Sequence, residues 1–566
     1  MSQKSNDCSE CNNCDAIHTS VLKDAFSSCQ SGTQQCDACV SVDKLKSEVE
    51  ETMERLKNLL LDLRHAKMEM NYSHSSILKK FPTEILSSIF ESSMTISDQA
   101  PRSNYGVRKT PLVLSQVCRN WRQVALETPL LWTRLSVIWD GRVEGQLNRL
   151  HEWIARTRGF PLDISLGTSR KTSIIAEDRP QILDSLSRSR VSFLQALAST
   201  SAQWRFFSAS APYCVLECLG QHVQDVALLK ELYIDRLWSP EESTTPIWSQ
   251  CQPAPKSVEL YDCPPGKMNI RWDSVTTMTV SRVSTEDCLT LLSSAPDLTT
   301  CHFHDINWVR HETLSQHMNQ PAIKHEKIQT FTYTYFSSSS PSFLFHRLEL
   351  PNIRSFTCAW RVLDEIPQDF FGSMLKLEEL KVSKITCDDE TKLASTLSNL
   401  PGTVTRLLLS CDSFHSDEDE YGEGEARDST VHILHILDQT AAVDTNSNAS
   451  SYNLILPNLT FLEIETPGRV DIPWSYVPRC YGPVGDDPGE HDTVLRRRRP
   501  LTTIRIIDRE MGCSFERKGK SLIPSGVLKE LVTLQQKGAE IVYQNSRNGD
   551  DLFRSAIVDA GLDRVL

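Results

Sequence analysis

The sequence predicts an α/β repeat array preceded by a three-helix module and a long amphipathic helix. Three observations carry that reading. A triplet of apolar residues, spaced L-x-x-L-x-L, recurs through the C-terminal part of the chain. The stretch 77–138 holds three proline-marked helix starts and more apolar surface than three short helices can hide. Between Val42 and Met70, apolar residues alternate at spacings of three and four.

The chain has 566 residues, enough for several domains or one long array. Hydrophobic residues make up 39% and charged residues 23%, a globular composition. The net charge of -13 disfavours bulk attraction to nucleic acid or anionic membrane. There is no apolar run of about 18 residues, the length a membrane helix requires. The N-terminus, MSQKSNDCSECNNC, lacks the apolar core of a signal peptide. The expected compartment is therefore the cytosol or nucleus. Thiols are reduced there, so the 18 cysteines are not expected to form a disulfide framework.

Residues 1–40 read as a Cys-rich, disordered tail with Cys8, Cys11, Cys14, Cys29, Cys36 and Cys39. Four such thiolates, with His18 as a further candidate, can close a tetrahedral zinc site. The intervening Ser/Thr/Gln-rich sequence offers little to fold around a metal, so no metal or cofactor is assigned. Residues 41–71 then form a coiled-coil helix. Val42, Leu45, Val49, Thr52, Leu56, Leu59, Leu63, Ala66 and Met70 share one seam, and no Pro or Gly interrupts it. The seam suits a homodimer through 42–70; a single helix folding back on the next domain is the alternative.

In the module 77–138, Pro82 suits a first helical position and Ile85, Leu86, Ile89 and Phe90 fall on one helical face. Thr110-Pro111 starts a second helix, in which Leu112, Leu114, Val117, Cys118, Trp121, Val124 and Ala125 keep the helical period. Thr128-Pro129 starts a third before Leu130, Leu131 and Trp132. Surplus apolar faces on so small a unit indicate a partner.

The stretch FPTEILSSIF…PLVLSQVCRNWRQVALETPLLWTRL resembles an F-box, with its Leu-Pro, Glu-Ile-Leu, Ile-Phe, Val-Cys-Arg-x-Trp and Leu-Trp pattern. Val117-Cys118-Arg119-Asn120-Trp121 matches the second-helix signature. Phe81 stands where the family has Leu, and the Thr95–Thr110 loop is long. The chain is similar to the F-box-like proteins of mushroom-forming fungi (basidiomycetes), in which a coiled-coil helix often precedes the F-box. The resemblance implies docking to a Skp-type adaptor and, through it, to a cullin and RING ubiquitin ligase. By motif position it assigns Phe81, Pro82, Ile85, Leu86, Ile89, Leu114, Val117, Cys118, Trp121 and Trp132 to adaptor binding, with packing inside the module as the alternative for each.

Residues 139–566 read as a leucine-rich-repeat-like array, an α/β solenoid. Leu135, Val137 and Trp139 alternate like a strand, a helix follows over Leu147–Ile154, and Leu162–Leu166 alternates again. The triplets are Leu229/Leu232/Ile234, Val275/Met278/Val280, Leu298/Cys301/Phe303, Ile328/Phe331/Tyr333 and Ile353/Phe356/Cys358. They continue at Leu377/Leu380/Val382, Val404/Leu407/Leu409, Leu459/Leu462/Ile464 and Leu501/Ile504/Ile506, with a partial copy at Val258/Leu260. From Val275 to Val404 the starts lie 23, 30, 25, 24 and 27 residues apart, close to the leucine-rich-repeat period. One repeat cannot bury its own apolar face, so the repeats must stack. The usual Asn ladder is missing; an ordinary α/β domain is the alternative. A helix near Ser525–Gln536, a strand near Ile541–Tyr543 and a helix near Asp551–Ala560 read as the closing cap.

The stretch 412–430, with DEDEYGEGEARD, reads as a disordered acidic insertion. Arg496–Arg499 reads as an exposed basic loop, with nuclear import as the alternative. No phosphate loop, nucleophile elbow or H-E-x-x-H occurs. The expectation is a non-enzyme: a substrate-recognition adaptor whose repeats hold an unknown protein through concave-face residues such as Tyr233, Thr300, His302 and Thr332. The alternatives are an interaction scaffold without ligase coupling and a zinc- or nucleic-acid-binding regulator.

Overall fold

The computed structural model describes residues 36–74, 81–96, 110–139, 146–168, 188–235, 246–306, 321–335, 342–385, 390–411, 422–439, 455–467, 472–481, 499–509, 523–546 and 549–562. The cysteines at 8, 11, 14 and 29 and the arginines at 496–498 lie outside these residues. The chain divides into two compact units, Met1–Leu135 with Gly141–Phe160, and Ser136–Asp140 with Pro161–Leu566.

The first unit is helical. Helix α1 spans Asp37–His74, so it begins inside the segment expected to be a disordered tail. Asp37 lies in its first turn, where a carboxylate favours a helix N-terminus, and no Pro or Gly interrupts the run that follows. Helices α2 (Thr83–Ile96), α3 (Thr110–Val117) and α4 (Arg119–Glu127) follow, then a 3-10 turn over Pro129–Trp132 and helix α5 (Leu147–Thr157). The sequence period runs smoothly from Leu112 to Ala125, yet the helix breaks at Cys118. Cys118 is extended at φ -156°, and its Sγ accepts from the Trp121 amide at 3.4 Å, capping α4 as a hydroxyl would. Arg122 Nε donates to the Ser115 carbonyl in the last turn of α3 at 2.8 Å. The break therefore leaves neither helix end bare.

Among the described residues, the second unit is built on one 14-stranded sheet whose strands follow chain order. Its first members are β1 (Arg134–Trp139), β2 (Leu162–Thr168), β3 (Trp204–Ser210), β4 (Glu231–Asp235), β5 (Ser257–Tyr261), β6 (Thr277–Ser281) and β7 (Thr300–Ile306). A two-residue pair, β8 (Ile323–Lys324) with β10 (Leu348–Glu349), stands apart. The sheet continues through β9 (Thr330–Tyr335), β11 (Ser355–Ala359), β12 (Glu379–Ser383), β13 (Arg406–Ser410), β14 (Phe461–Pro467), β15 (Thr503–Arg509) and β16 (Glu540–Asn545). From β2 to β16 every pairing in this sheet is parallel.

The apolar triplets set the register. One row runs Phe207, Leu232, Val258, Met278, Cys301, Phe331, Phe356, Leu380, Leu407, Leu462, Ile504 and Ile541. Two residues on, Ala209, Ile234, Leu260, Val280, Phe303, Tyr333, Cys358, Val382, Leu409, Ile464, Ile506 and Tyr543 form a second row. All are buried, because period-two alternation turns both rows to one face of a strand. β3 and its flanking helices, Arg188–Ala198 and Tyr213–His222, were not expected from the sequence.

A different ladder takes the place of the missing asparagines. The residue just before each strand donates its amide to its counterpart one repeat back: Lys256 to Lys230, Thr276 to Lys256, Thr299 to Thr276, and so on through Gln329, Arg354, Glu378, Thr405 and Thr460 to Thr502, at 2.8–2.9 Å, and Glu540, the first residue of β16, donates to Thr502 at 2.8 Å. Where the residue is threonine its hydroxyl joins in. Thr276, Thr299, Thr405, Thr460 and Thr502 each donate Oγ1 to the same carbonyl at 2.9–3.2 Å.

Two expectations are corrected. Gly422–Gln439 is helical, so the second half of the acidic stretch belongs to an element. Ile433, Leu434, Ile436 and Leu437 are buried, and this apolar cluster anchors the helix. Arg499 is not an exposed basic residue; it is 1% exposed. Its Nη1 donates to the Leu437 carbonyl at 2.6 Å, and its Nε and Nη2 to the Ile455 carbonyl at 3.0 and 2.9 Å. A planar fork of donors suits that task, since it ties a helix end to a loop.

Candidate functional site

The helical module sorts its apolar residues into two sets. Leu86, Phe90, Met94, Val124, Ala125, Leu131 and Trp132 form the core, with Leu114, Trp121, Leu126 and Trp153 packed against it. Phe90 lies 4.9 Å from Trp121 and Trp132 lies 4.8 Å edge-on to Trp153, centroid to centroid. Buried indole N–H groups require partners. Trp132 Nε1 donates to the Ala125 carbonyl at 2.8 Å and Trp153 Nε1 to the Trp132 carbonyl at 2.7 Å. The Arg156 guanidinium covers Trp132 at 4.5 Å. Thr128 Oγ1 donates to the Val124 carbonyl at 2.7 Å and lies 3.0 Å from Ser87 Oγ.

The other set faces outward. Phe81, two residues before α2, and Ile85 and Ile89 on it are spaced four apart and 42–47% exposed. Val113 and Val117 on α3 are 56% and 57% exposed, and Leu112 and Leu130 join them. These two i,i+4 stripes are sites where a partner can bury apolar surface. The structure therefore divides the residues assigned from the motif. Phe81, Pro82, Ile85, Ile89 and Val117 are exposed; Leu114, Cys118 and Trp121 are half-buried. Leu86 and Trp132 lie in the core, at 1% and 0% exposure. The four-residue spacing of Ile85 and Ile89 put Leu86 one position off their stripe, a distinction the motif alone does not make. Val113, one turn before Val117, was not among the residues assigned from the motif.

The second candidate surface is the strand face opposite the apolar rows. Here the register places Tyr233, Glu259, Thr279, His302, Thr332, Thr357 and Lys381 side by side. Thr277, Thr300 and Thr330 form the row before it. His302 Nδ1 lies 2.8 Å from Thr332 Oγ1, and His304 Nδ1 lies 3.1 Å from Thr334 Oγ1. The two imidazoles stack at 6.2 Å. Burial holds both below the usual histidine value, and for His302 the neighbouring His304 adds to the effect. The middle of this face is thus hydroxyl-rich and uncharged at neutral pH. Toward β4 and β5, Tyr233 lies 5.4 Å from Tyr261. Toward β13–β15 the charges are matched: Arg406 with Glu379 at 3.1 Å, Arg505 with Glu463 at 3.5 Å and Arg509 with Glu465 at 2.6 Å. So Thr300, His302 and Thr332 come together, and Tyr233 lies three strands away from His302.

Among the described residues, no group of three or more His, Cys, Asp or Glu side chains could hold a metal ion. Cys36 Sγ lies 3.5 Å from Cys39 Sγ at the start of α1. No helix of the described residues is long and apolar enough to cross a membrane.

Comparison with known proteins agrees with the geometry of the first site. No curated protein matches the chain. Among solved structures, the leucine-rich repeat-containing protein LegL7 from Legionella pneumophila is similar at 11% identity, covering 51% of this chain and 91% of that one, with a TM-score of 0.25. A family profile described as F-box-like matches residues 78–138, the segment that holds both exposed stripes and the tryptophan core. The chain carries an F-box-like domain at those residues.

Proposed function

We propose that this protein is the substrate-recognition subunit of a Skp–cullin–F-box ubiquitin ligase. The F-box-like domain docks a Skp-type adaptor, and the leucine-rich-repeat-like array holds a protein substrate. It performs no chemistry itself and works in the cytosol or nucleus. The observation that supports docking is the outward set on α2, α3 and the turn after α4. Phe81, Ile85, Ile89, Val113, Val117 and Leu130 each keep 42–57% of their surface in water. Burying what remains contributes about 1 kcal/mol per side chain, roughly 6 kcal/mol for the six, against an association cost of about 4–15 kcal/mol. The face is thus a necessary part of the contact, to be completed by polar groups at its rim. Substrate is held on the face that carries Tyr233, Thr300, His302 and Thr332.

The test is co-purification with a recombinant Skp-type adaptor and cullin. Ile85→Asp combined with Val117→Asp should remove the adaptor while the circular dichroism of the protein is unchanged. Adaptor retained by this variant would sink the docking claim. Adaptor recovered without cullin would favour an interaction scaffold over a ligase subunit.

A further inference from the structure

Helix α1 exposes its apolar seam from Leu45 to Met70, while Val42 is half-buried. Leu45, Val49, Leu56, Leu59, Leu63 and Met70 are each 48–59% exposed. At 1.5 Å per residue its 38 residues reach about 57 Å. A single helix that leaves a leucine stripe in water is marginal, because propensity alone does not hold it. We propose that α1 is a parallel, in-register coiled coil with α1 of a second copy of this chain. This rests on the seam and its flanks, not on the adaptor-binding reading.

The first part of the seam favours two strands. Its a positions are Val42, Val49, Leu56, Leu63 and Met70, and its d positions are Leu45, Thr52, Leu59 and Ala66. Val42 and Val49 at a with Leu45 at d have the β-branched and leucine pattern of parallel dimers. No charge enters the seam. Its one polar member, Thr52, already donates Oγ1 to the Glu48 carbonyl at 2.7 Å, so pairing buries no orphan hydroxyl.

The flanking charges decide the orientation. In a parallel pair each g residue faces the e residue five positions on in the other copy. Asp62 then meets Lys67 of the second copy, twice by symmetry. Glu48 faces Met53 and Arg55 faces Leu60, so no like charges meet. The antiparallel pair centred on residue 54 sets Glu48 against Asp62 and Arg55 against itself. Shifted one heptad, so that Leu56 meets Leu59, it sets Glu48 against Glu69 and Lys46 against Lys67, with only Arg55–Asp62 in its favour. The opposite shift sets Leu63 against Ala38 and leaves Met70 without a partner inside α1. Like charges at these positions oppose pairing.

Light scattering of the full chain at micromolar concentration should give twice the 64.0 kDa chain mass. Leu56→Asp with Leu59→Asp should raise the dissociation constant at least about 100-fold and give the single-chain mass. Lys57→Ala, on the outer side, should stay dimeric. A photo-crosslinker in place of Leu45 should join the two copies near residue 45. Crosslinks to residues 63–70 of another copy overturn the parallel arrangement. A wild-type chain that stays monomeric, or is dimeric but unmoved by the seam substitutions, overturns the proposal, as does a crosslink within one chain. Adaptor binding is scored separately on the Leu56→Asp, Leu59→Asp variant. Its retention on a monomer shows that the two readings stand or fall apart.

Discussion

Single residues in this protein often do a job their type conceals. Arg499 ends a basic run and reads as a surface charge, yet its guanidinium is buried and bonds two carbonyls. Arg499→Met should cost about 2–4 kcal/mol, since the Leu437 and Ile455 carbonyls lose their donors. A shift of the urea midpoint to lower concentration measures it; an unchanged midpoint would contradict the buried role. Cys480, nearby, is pushed up to about 12 by burial and stays a thiol. The stacked His302 and His304 give a pH signature. Their folded values lie below the ordinary one because burial disfavours the charge. Above about pH 6.5 the rings are neutral folded and unfolded. As pH falls below that, the unfolded chain takes up protons that the folded rings resist, so stability drops. His302→Gln with His304→Gln should flatten this part of the stability profile, read by urea denaturation between pH 7.5 and pH 5.5, roughly one unit either side of the histidine value.

At the scale of elements, the helical module has a core side and an exposed apolar side. Leu86 and Ile85 are neighbours on α2 with opposite fates, 1% and 45% exposed. Leu86→Asp buries a carboxylate against Phe90 and Trp132 and should unfold the module, so its loss of adaptor would say nothing about contact. Ile85→Asp should leave the module folded and remove the adaptor. Thermal melts of the two variants, run beside the pull-down, separate the cases. The threonine ladder is an element-level device too. Replacing Thr405, Thr460 and Thr502 by valine keeps shape and the amide ladder but removes three hydroxyl bonds. It should lower stability by about 1 kcal/mol per hydroxyl, checked by equilibrium denaturation.

For the array as a whole, stability is a sum over neighbours, because each repeat buries its apolar rows only against the next. The last repeat is held by the helix Ser525–Gln536, β16 and the helix Leu552–Asp559. Tyr543 packs on Trp474 at 5.1 Å, and Tyr481 donates its hydroxyl to the Glu540 carbonyl at 3.2 Å. Deleting residues 523–566 strips the cover from β15 and leaves its edge open to other chains. The truncated protein should aggregate on gel filtration; a monodisperse, fully folded truncation would show that β14 and β15 need no cap.

The sequence by itself determined the repeat period, the strand register and the boundaries of the last cap, because a strand's two-residue alternation converts spacing directly into burial. It also marked the F-box-like segment, whose helix starts and tryptophans are local. β3 escaped notice because its Trp-Arg-Phe-Phe start breaks the alternation, and its register slips against β2. The tertiary structure alone decided which apolar residues of α2 and α3 stay exposed, since Leu86 and Ile85 differ only in which neighbours surround them. It alone turned Arg499 inward, because two carbonyls left by Leu437 and Ile455 meet there from segments far apart in the chain. The seam of α1 is the opposite case. Its period is plain in the sequence, and the structure adds that nothing within the described residues covers it.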